Sequence, residues 1–303
     1  MVTRKILVID DDAVQAAALA KKLSETIPSS ELMCASSEES IRDTVENKFY
    51  NLAILDIRMD NFDFDGIQIA KRILEVNPFA RIIFVSRYLP EYMEQLTPLL
   101  QNGNVLGFSD KKADYNAWGE ELKSIILPYY ERLDADPQAV NSALINLYSE
   151  LKDIDDILVK GSRFEGFVSL LFQSIGFSEI MKRTRDKSDN EVDLIIRNDI
   201  EDPFLSKFGK YFLVECKNHI EAIGKNDFII FREKLVNTNG LAQLGFLITT
   251  SSFKRTTYME ALRSSAGDKK VIFLDNAIIM QLLQSGNRLE ELKRVIDSQV
   301  KDN

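Results

Sequence analysis

The stretch Lys5-Ile-Leu-Val-Ile-Asp-Asp-Asp12, KILVIDDD, is a short run of branched apolar residues that ends in three carboxylates. A run so short and so rich in Val, Ile and Leu reads as a strand covered on both faces, the kind found in parallel sheets flanked by helices. The pattern recurs downstream. LMCAS, NLAILDIR, ARIIFVS and NVLGFSD alternate with helically spaced apolar residues near 13–26, 38–47, 66–76, 90–101 and 115–131. Such alternation predicts a doubly wound parallel sheet, on which ligands sit at the carboxyl ends of the strands. Residues with chemistry gather at those ends: Asp10, Asp11 and Asp12 after the first strand, Asp56 after the third, Ser86 after the fourth and Lys111 after the fifth.

The rest of the composition narrows the function classes. A chain of 303 residues with 45% hydrophobic and 28% charged residues is long enough for two domains with real cores and reads as globular. No uninterrupted apolar run reaches the roughly 18 residues of a membrane span, and the N-terminus enters a strand pattern rather than a signal peptide. The expectation is a cytoplasmic protein without a membrane segment. Cys34 and Cys216 are too few for a disulfide framework or a cysteine zinc site, and a single histidine, His219, leaves little room for histidine metal sites or a histidine phosphotransfer module. Lys and Arg number 15 against 22 Asp and Glu over residues 1–134, 2 against 5 over 135–160, and 21 against 20 over 161–303. The acidic N-terminal part argues against indiscriminate nucleic-acid binding, while the near-neutral remainder leaves space for a local basic surface.

The strand-end constellation, over roughly residues 3–130, resembles the CheY-like receiver domain of bacterial response regulators, a flavodoxin-like fold. That resemblance implies that Asp10, Asp11, Asp56 and the backbone carbonyl of Arg58 hold Mg²⁺, and that Asp56 accepts a phosphoryl group from a histidine kinase or other phosphoryl donor. It implies further that Lys111 neutralises the acyl phosphate, that Ser86 hydrogen-bonds it, and that Phe108 is the switch aromatic. Clustered carboxylates suit a hard cation with oxygen ligands and repel one another without it. Solvated surface carboxylates are the bland alternative, against which stands the placement of these groups on four different strand ends. The chain departs from the family at Asp60 and Lys112, where proline is usual, and in the loop DIRMDNFDFDG, which runs long before Gly66.

From Asp136-Pro137 the pattern predicts one long helix. Val140, Leu144, Leu147, Leu151, Ile154 and Leu158 form a heptad seam. Two readings stay open, a coiled coil that makes a homodimer and an amphipathic helix packed on a neighbouring domain. The expected division is a receiver at 1–132, a helical linker at 136–160 and a C-terminal α/β domain at 161–303.

In the C-terminal part RFEGFVSLLFQSIGF reads as a helix with one buried face. EVDLIIR, YFLVECK, LGFLITT and VIFL read as strands. Glu215 and Lys217, two apart in a strand, project from one face, and Asp193 in the preceding strand can meet them across an antiparallel pairing. Alone, such a spacing is as often a surface ion pair of little energetic weight. Joined to the helix and the flanking strands, it resembles the PD-(D/E)xK nuclease superfamily, in particular its Mrr-like restriction endonuclease branch, over about residues 161–284. The resemblance implies that Asp193, Glu215 and the Cys216 carbonyl hold Mg²⁺, that Lys217 positions or helps deprotonate a water, and that Glu165 is an additional acidic group. It departs from the branch at Asp189-Asn190-Glu191, where glycines are frequent.

Lys182, Arg183, Arg185, Lys187, Lys254 and Arg255, in or near loops flanking this site, are the candidate contacts to DNA phosphates, though any one of them is as readily a solvated charge. His219 reads as a polar residue at the strand end and Cys216 as a core-facing side chain. Together these readings describe an α/β response regulator whose output is a Mg²⁺-dependent DNA endonuclease controlled by phosphorylation of Asp56. Defence against foreign DNA is the setting the nuclease family implies. Two rivals remain: a catalytically silent nuclease fold that binds nucleic acid or a protein partner under receiver control, and a receiver that serves as a dimerisation scaffold.

Overall fold

A computed structural model of the chain describes residues 4–101, 103–185, 191–238, 240–264 and 267–302, without the side chains of 137–140, 183–185, 191 and 302. The backbone divides into two compact units, Met1–Ala139 and Val140–Asn303.

In the first unit, β1 (Arg4–Ile9), β2 (Ser30–Ala35), β3 (Leu52–Asp56), β4 (Arg81–Ser86) and β5 (Val105–Asp110) alternate with α1 (Ala13–Thr26), α2 (Glu38–Asn47), α3 (Gly66–Val76), α4 (Met93–Gln101) and α5 (Tyr115–Ala135). The strands lie in the order β2-β1-β3-β4-β5, all parallel. Period-2 side chains split β1 between two cores: Leu7 and Ile9 enter the one on one face, Ile6 and Val8 the one that holds Trp118 on the other. Helix starts follow local chemistry. Asp12 accepts the amides of Val14 and Gln15, and Ser37 with Ser40 and Asp65 with Gln68 form reciprocal capping boxes. The chain reverses its winding between β1 and β3, so Asp10 and Asp56 close the two strands that flank the switch point.

α6 (Pro137–Glu150), which begins three residues before the second unit, and α7 (Ile157–Ile175) precede β6 (Ile180–Arg185), β7 (Glu191–Arg197) and β8 (Tyr211–Lys217). Then follow α8 (Lys225–Val236), β9 (Ala242–Thr249), α9 (Arg255–Arg263), β10 (Lys270–Leu274), α10 (Asn276–Gln284) and α11 (Arg288–Asp302). The sheet order is β10-β9-β8-β7-β6, with β8, β9 and β10 parallel and β7 antiparallel to both its neighbours. The buried face of α7 carries Phe164, Phe167, Val168, Leu171, Phe172 and Ile175, as its spacing predicts, and ends at Gly176 with a φ of 127°.

The single long helix expected over the connector is corrected. It breaks after a 3-10 turn at Leu151–Asp153. Ile154 is extended, and Asp156 opens α7 by accepting the amides of Leu158 and Val159. Three aspartates within four residues, Asp153, Asp155 and Asp156, favour a new helix start over continuation, because a short carboxylate competes for backbone N–H groups. The heptad seam therefore ends early: Leu144 and Leu151 are buried while Leu158 is 84% exposed. Tyr148, outside the seam, packs on Phe167 and donates its hydroxyl to Asn276 Oδ1 at 2.9 Å. The side chain of Val140 lies outside the described residues.

Candidate functional site

The first cluster forms where β1, β3 and β5 end. Asp10 and Asp56 are buried, and carboxylate oxygens of Asp10, Asp11 and Asp56 lie within 4.8 Å of one another. Lys111 Nζ donates to Asp10 Oδ2 and to Asp56 Oδ2, each at 2.7 Å, and reaches Gln15 Oε1 at 3.4 Å. The other Asp56 oxygen accepts the Arg58 amide at 3.3 Å, and Asp10 Oδ1 accepts the Asp12 amide at 3.0 Å. Burial raises the Asp56 carboxyl to about 6, with Lys111 pulling down and Asp10 pushing up. Burial also works against the Lys111 ammonium, but its bonds to Asp10 and Asp56 prevail and hold it above the ordinary lysine range.

Around this core, buried Ser86 accepts the Tyr88 amide at its hydroxyl, and half-buried Phe108 stacks on Phe84 with centroids 6.1 Å apart. The departures from the family pattern have local consequences. Asp60 accepts from Arg58 Nε at 2.6 Å, and that guanidinium lies over the Tyr88 ring. Lys112 pairs with Glu121. Asn61, unforeseen in the sequence, donates through both its backbone and side-chain nitrogens to Asp11 Oδ2. Gly66 closes the long loop, and a Cβ there would stand 2.0 Å from the Asp56 carbonyl oxygen.

The second cluster forms where β7 and β8 part. Their backbone pairing runs from Arg197↔Tyr211 to Leu194↔Val214, which sets Asp193 opposite Glu215. Beyond that point the Cys216 amide donates to Asp193 Oδ2 at 2.7 Å. Lys217 Nζ meets Glu215 Oε1 at 2.9 Å. Asp193 is raised to about 6, first by burial, then by the charges of Glu215 and Glu165, against the Cys216 amide and Lys217. Burial opposes the Lys217 ammonium, yet the hydrogen bond and charge of Glu215 carry it above its ordinary value. Burial, Asp193, Glu165 and Glu215 push the Cys216 thiol well up, which leaves its backbone as the useful part.

Glu165, half-buried on α7, is felt electrostatically by Asp193, but Asp193, Glu215 and Glu165 do not close to the mutual spacing of the first cluster. A residue that the sequence did not single out completes the pair: Lys234 on α8 stands 3.1 Å from Glu215 Oε1 and 2.9 Å from Oε2.

A cleft of about 1330 Å³ opens at the carboxyl ends of β8, β9 and β10, lined by Asn218, His219, Thr250, Ser251 and Asn276 and by the lysines 152, 160, 225 and 254. Lys217 feels the charge of Asp227, another lining residue, which puts the cleft beside the second cluster. Asn218 Oδ1 accepts from the Thr250 hydroxyl at 2.8 Å, while its Nδ2 is buried without a hydrogen-bond partner. Of the candidate phosphate contacts, Lys254 stands at the N-cap position of α9, Arg255 begins that helix, and Lys182, Arg183 and Arg185 lie in edge strand β6. Lys187 lies outside the described residues, as do the side chains of Arg183 and Arg185. No helix among the described residues is long and apolar enough to cross a membrane.

Comparison with known proteins assigns a family to each unit. The family model described as the response regulator receiver domain matches residues 6–103, and that described as restriction endonuclease, Mrr_cat, matches residues 158–283. Among solved structures the chain is similar to a CheY-like response regulator receiver domain protein from Methanospirillum hungatei, at 22% identity over 46% of this chain and 99% of that one, with a TM-score of 0.36. It is similar also to a response regulator protein from Thermotoga maritima in complex with Mg²⁺-BeF, at 24% identity over 41% of this chain and 99% of that one, with a TM-score of 0.33. The search of curated proteins found no match.

Proposed function

We propose that this chain, a response regulator whose receiver domain is joined to a restriction-endonuclease-like output domain, is a Mg²⁺-dependent DNA endonuclease controlled by phosphorylation of Asp56. The observation that carries the reading is the meeting of Asp193, Glu215 and Lys217 where β7 and β8 part.

In the receiver, Asp10, Asp11, Asp56 and the Arg58 carbonyl form an oxygen-rich set that suits Mg²⁺. Asp56 attacks the phosphorus of a phosphohistidine or small phosphoryl donor. A carboxylate oxygen forms the new P–O bond as the bond to the donor breaks, and Lys111 stays beside it to balance the added charge. Ser86, on the neighbouring strand, offers its hydroxyl to the new phosphoryl group.

In the output domain, Asp193, Glu215 and the Cys216 carbonyl are the candidate Mg²⁺ ligands. When bound, the ion lowers the pKa of an attacking water and stabilises charge on the phosphate. Lys217, as an ammonium, would orient that water and offset charge on the phosphate; the water oxygen would bond to phosphorus with its proton passing to solvent, and the bond to one deoxyribose oxygen would break, that oxygen taking a proton from solvent. The adjoining cleft, with four lysines and the Asn218 amide, supports a nucleic-acid strand as the occupant. The division proposed is receiver 1–132, helical linker 136–160 and nuclease 161–303, with linker residues between 148 and 160 lining this cleft in part. With the heptad seam broken at Ile154, a homodimer through that segment loses its support.

The test is cleavage of plasmid and linear DNA in Mg²⁺, with and without a beryllofluoride mimic of phosphorylation. Lys217→Ala should lower cleavage at least about 100-fold, and Asp56→Ala should abolish the response to the mimic. Absence of cleavage in every condition, with DNA binding retained, would establish a silent binding module instead.

A further inference from the structure

We propose that Lys234 is a positioning residue of the output site: it holds the Glu215 carboxylate from α8 and limits the site to one divalent cation. This rests on the nuclease reading above. Glu215 is only 5% exposed, and Lys234 Nζ lies 3.1 Å from Oε1 and 2.9 Å from Oε2, so the ammonium spans the edge on which a carboxylate would chelate a metal. Lys217 Nζ takes a further position on Oε1 at 2.9 Å. A carboxylate offers about four lone-pair sites, and the two lysines occupy all but one of them, on Oε2.

One oxygen of Glu215 suffices for a single Mg²⁺, which keeps most of its waters and takes only one or two carboxylates. A pair of ions about 3.5–4 Å apart needs carboxylate oxygens for both. On the other strand, Asp193 Oδ2 is already accepting the Cys216 amide. The charges agree with this. The carboxylates of Asp193, Glu215 and Glu165 exceed the ammonium groups of Lys217 and Lys234 by one charge, so one divalent ion leaves an excess of one positive charge and a second leaves three, which disfavours the second.

The helical turn that carries Lys234 is placed by packing. Lys234 lies between Phe231 and Leu235, both buried against the sheet. Gly245 in β9 lets Phe231 sit close, since a Cβ there would meet the ring at 2.8 Å. The turn of α8 that carries Lys234 is thus set close to β9 by the fold itself.

The experiment counts Mn²⁺ by calorimetry on the full chain carrying Asp10→Asn and Asp56→Asn, so that the receiver cluster does not contribute. One ion is expected on this parent, none after adding Asp193→Asn, two after Lys234→Gln, and one after Lys234→Arg. Two ions on the parent overturn the proposal, and that measurement stands even where Lys234→Gln fails to fold. One ion on both the parent and Lys234→Gln, at the same affinity, overturns it while leaving the nuclease reading intact. No ion on the parent overturns both.

Discussion

The Cys216 amide donates to Asp193 Oδ2 at 2.7 Å, so a side-chain carboxylate takes the place of a backbone acceptor where β7 and β8 stop pairing. The same bond satisfies a donor in a partly buried strand end and pins the carboxylate beside Glu215. The cost is a carboxyl held at about 6 by burial and by like charge.

That cost sets a pH dependence for the metal-free protein. Between an ordinary value near 3.8 and about 6, the folded state binds more protons at Asp193 than the unfolded state does. Stability from this group is therefore full below the lower value and declines as pH rises toward the upper. Asp193→Asn keeps an acceptor for the Cys216 amide and removes the charge. In EDTA it should raise stability at pH 7.5 by about 1–2 kcal/mol, discounted for part exposure, with no gain at pH 4. Denaturant melts of both proteins at the two pH values check this, and the variant should lose DNA cleavage.

At the receiver cluster the raised Asp56 carboxyl means that a proton competes with a cation. Mg²⁺ affinity should rise as pH passes upward through about 6, because the ligand binds only when deprotonated. One unit below that value the competition is worth about tenfold. Calorimetric titration of the Asp193→Asn chain, in which only the receiver site remains, at pH 5 and pH 7.5 measures the difference. An affinity independent of pH would contradict burial as the dominant influence on Asp56.

Gly66 is required by contact and not by backbone angle, since a Cβ would stand 2.0 Å from the Asp56 carbonyl oxygen and 2.9 Å from its carbon. Those atoms are backbone at the end of a buried strand and cannot swing aside. Gly66→Ala should destabilise the chain by about 1–3 kcal/mol, as overpacking does. Displacing β3 should also slow phosphoryl transfer from acetyl phosphate, read as Mg²⁺-dependent incorporation of label. Wild-type rate and stability would show that the loop relaxes at no cost.

What could be read in advance follows from periodicity. Period-2 strands put Glu215 and Lys217 on one face, and strand ends locate Asp10, Asp56, Ser86 and Lys111. Antiparallel pairing of EVDLII with YFLVECK set Asp193 opposite Glu215. Lys234 was not legible: nothing in FIIFREKLV says which turn of α8 faces a carboxylate, because that depends on how closely the helix approaches at Gly245. Heptad spacing misled at the connector, where local capping by Asp156 outweighed a seam too short to sustain a helix. Asn61 gave no signal because its partner, Asp11, is fifty positions away.

Asn218 offers the most direct test of the cleft. Its Oδ1 accepts from the Thr250 hydroxyl at 2.8 Å, and its Nδ2 is a buried donor without a hydrogen-bond partner. An unpaired buried donor is unfavourable in the free protein, and a phosphate or base acceptor in the cleft would relieve it. Asn218→Ala should therefore weaken DNA binding in Ca²⁺ by about 5–10-fold, the worth of about one hydrogen bond, while changing the salt dependence little because no charge is removed. Lys225→Ala should instead lower the slope of affinity against salt by about one ion. Equal salt slopes for wild type and Lys225→Ala, together with unchanged affinity for Asn218→Ala, would place the DNA elsewhere on the domain.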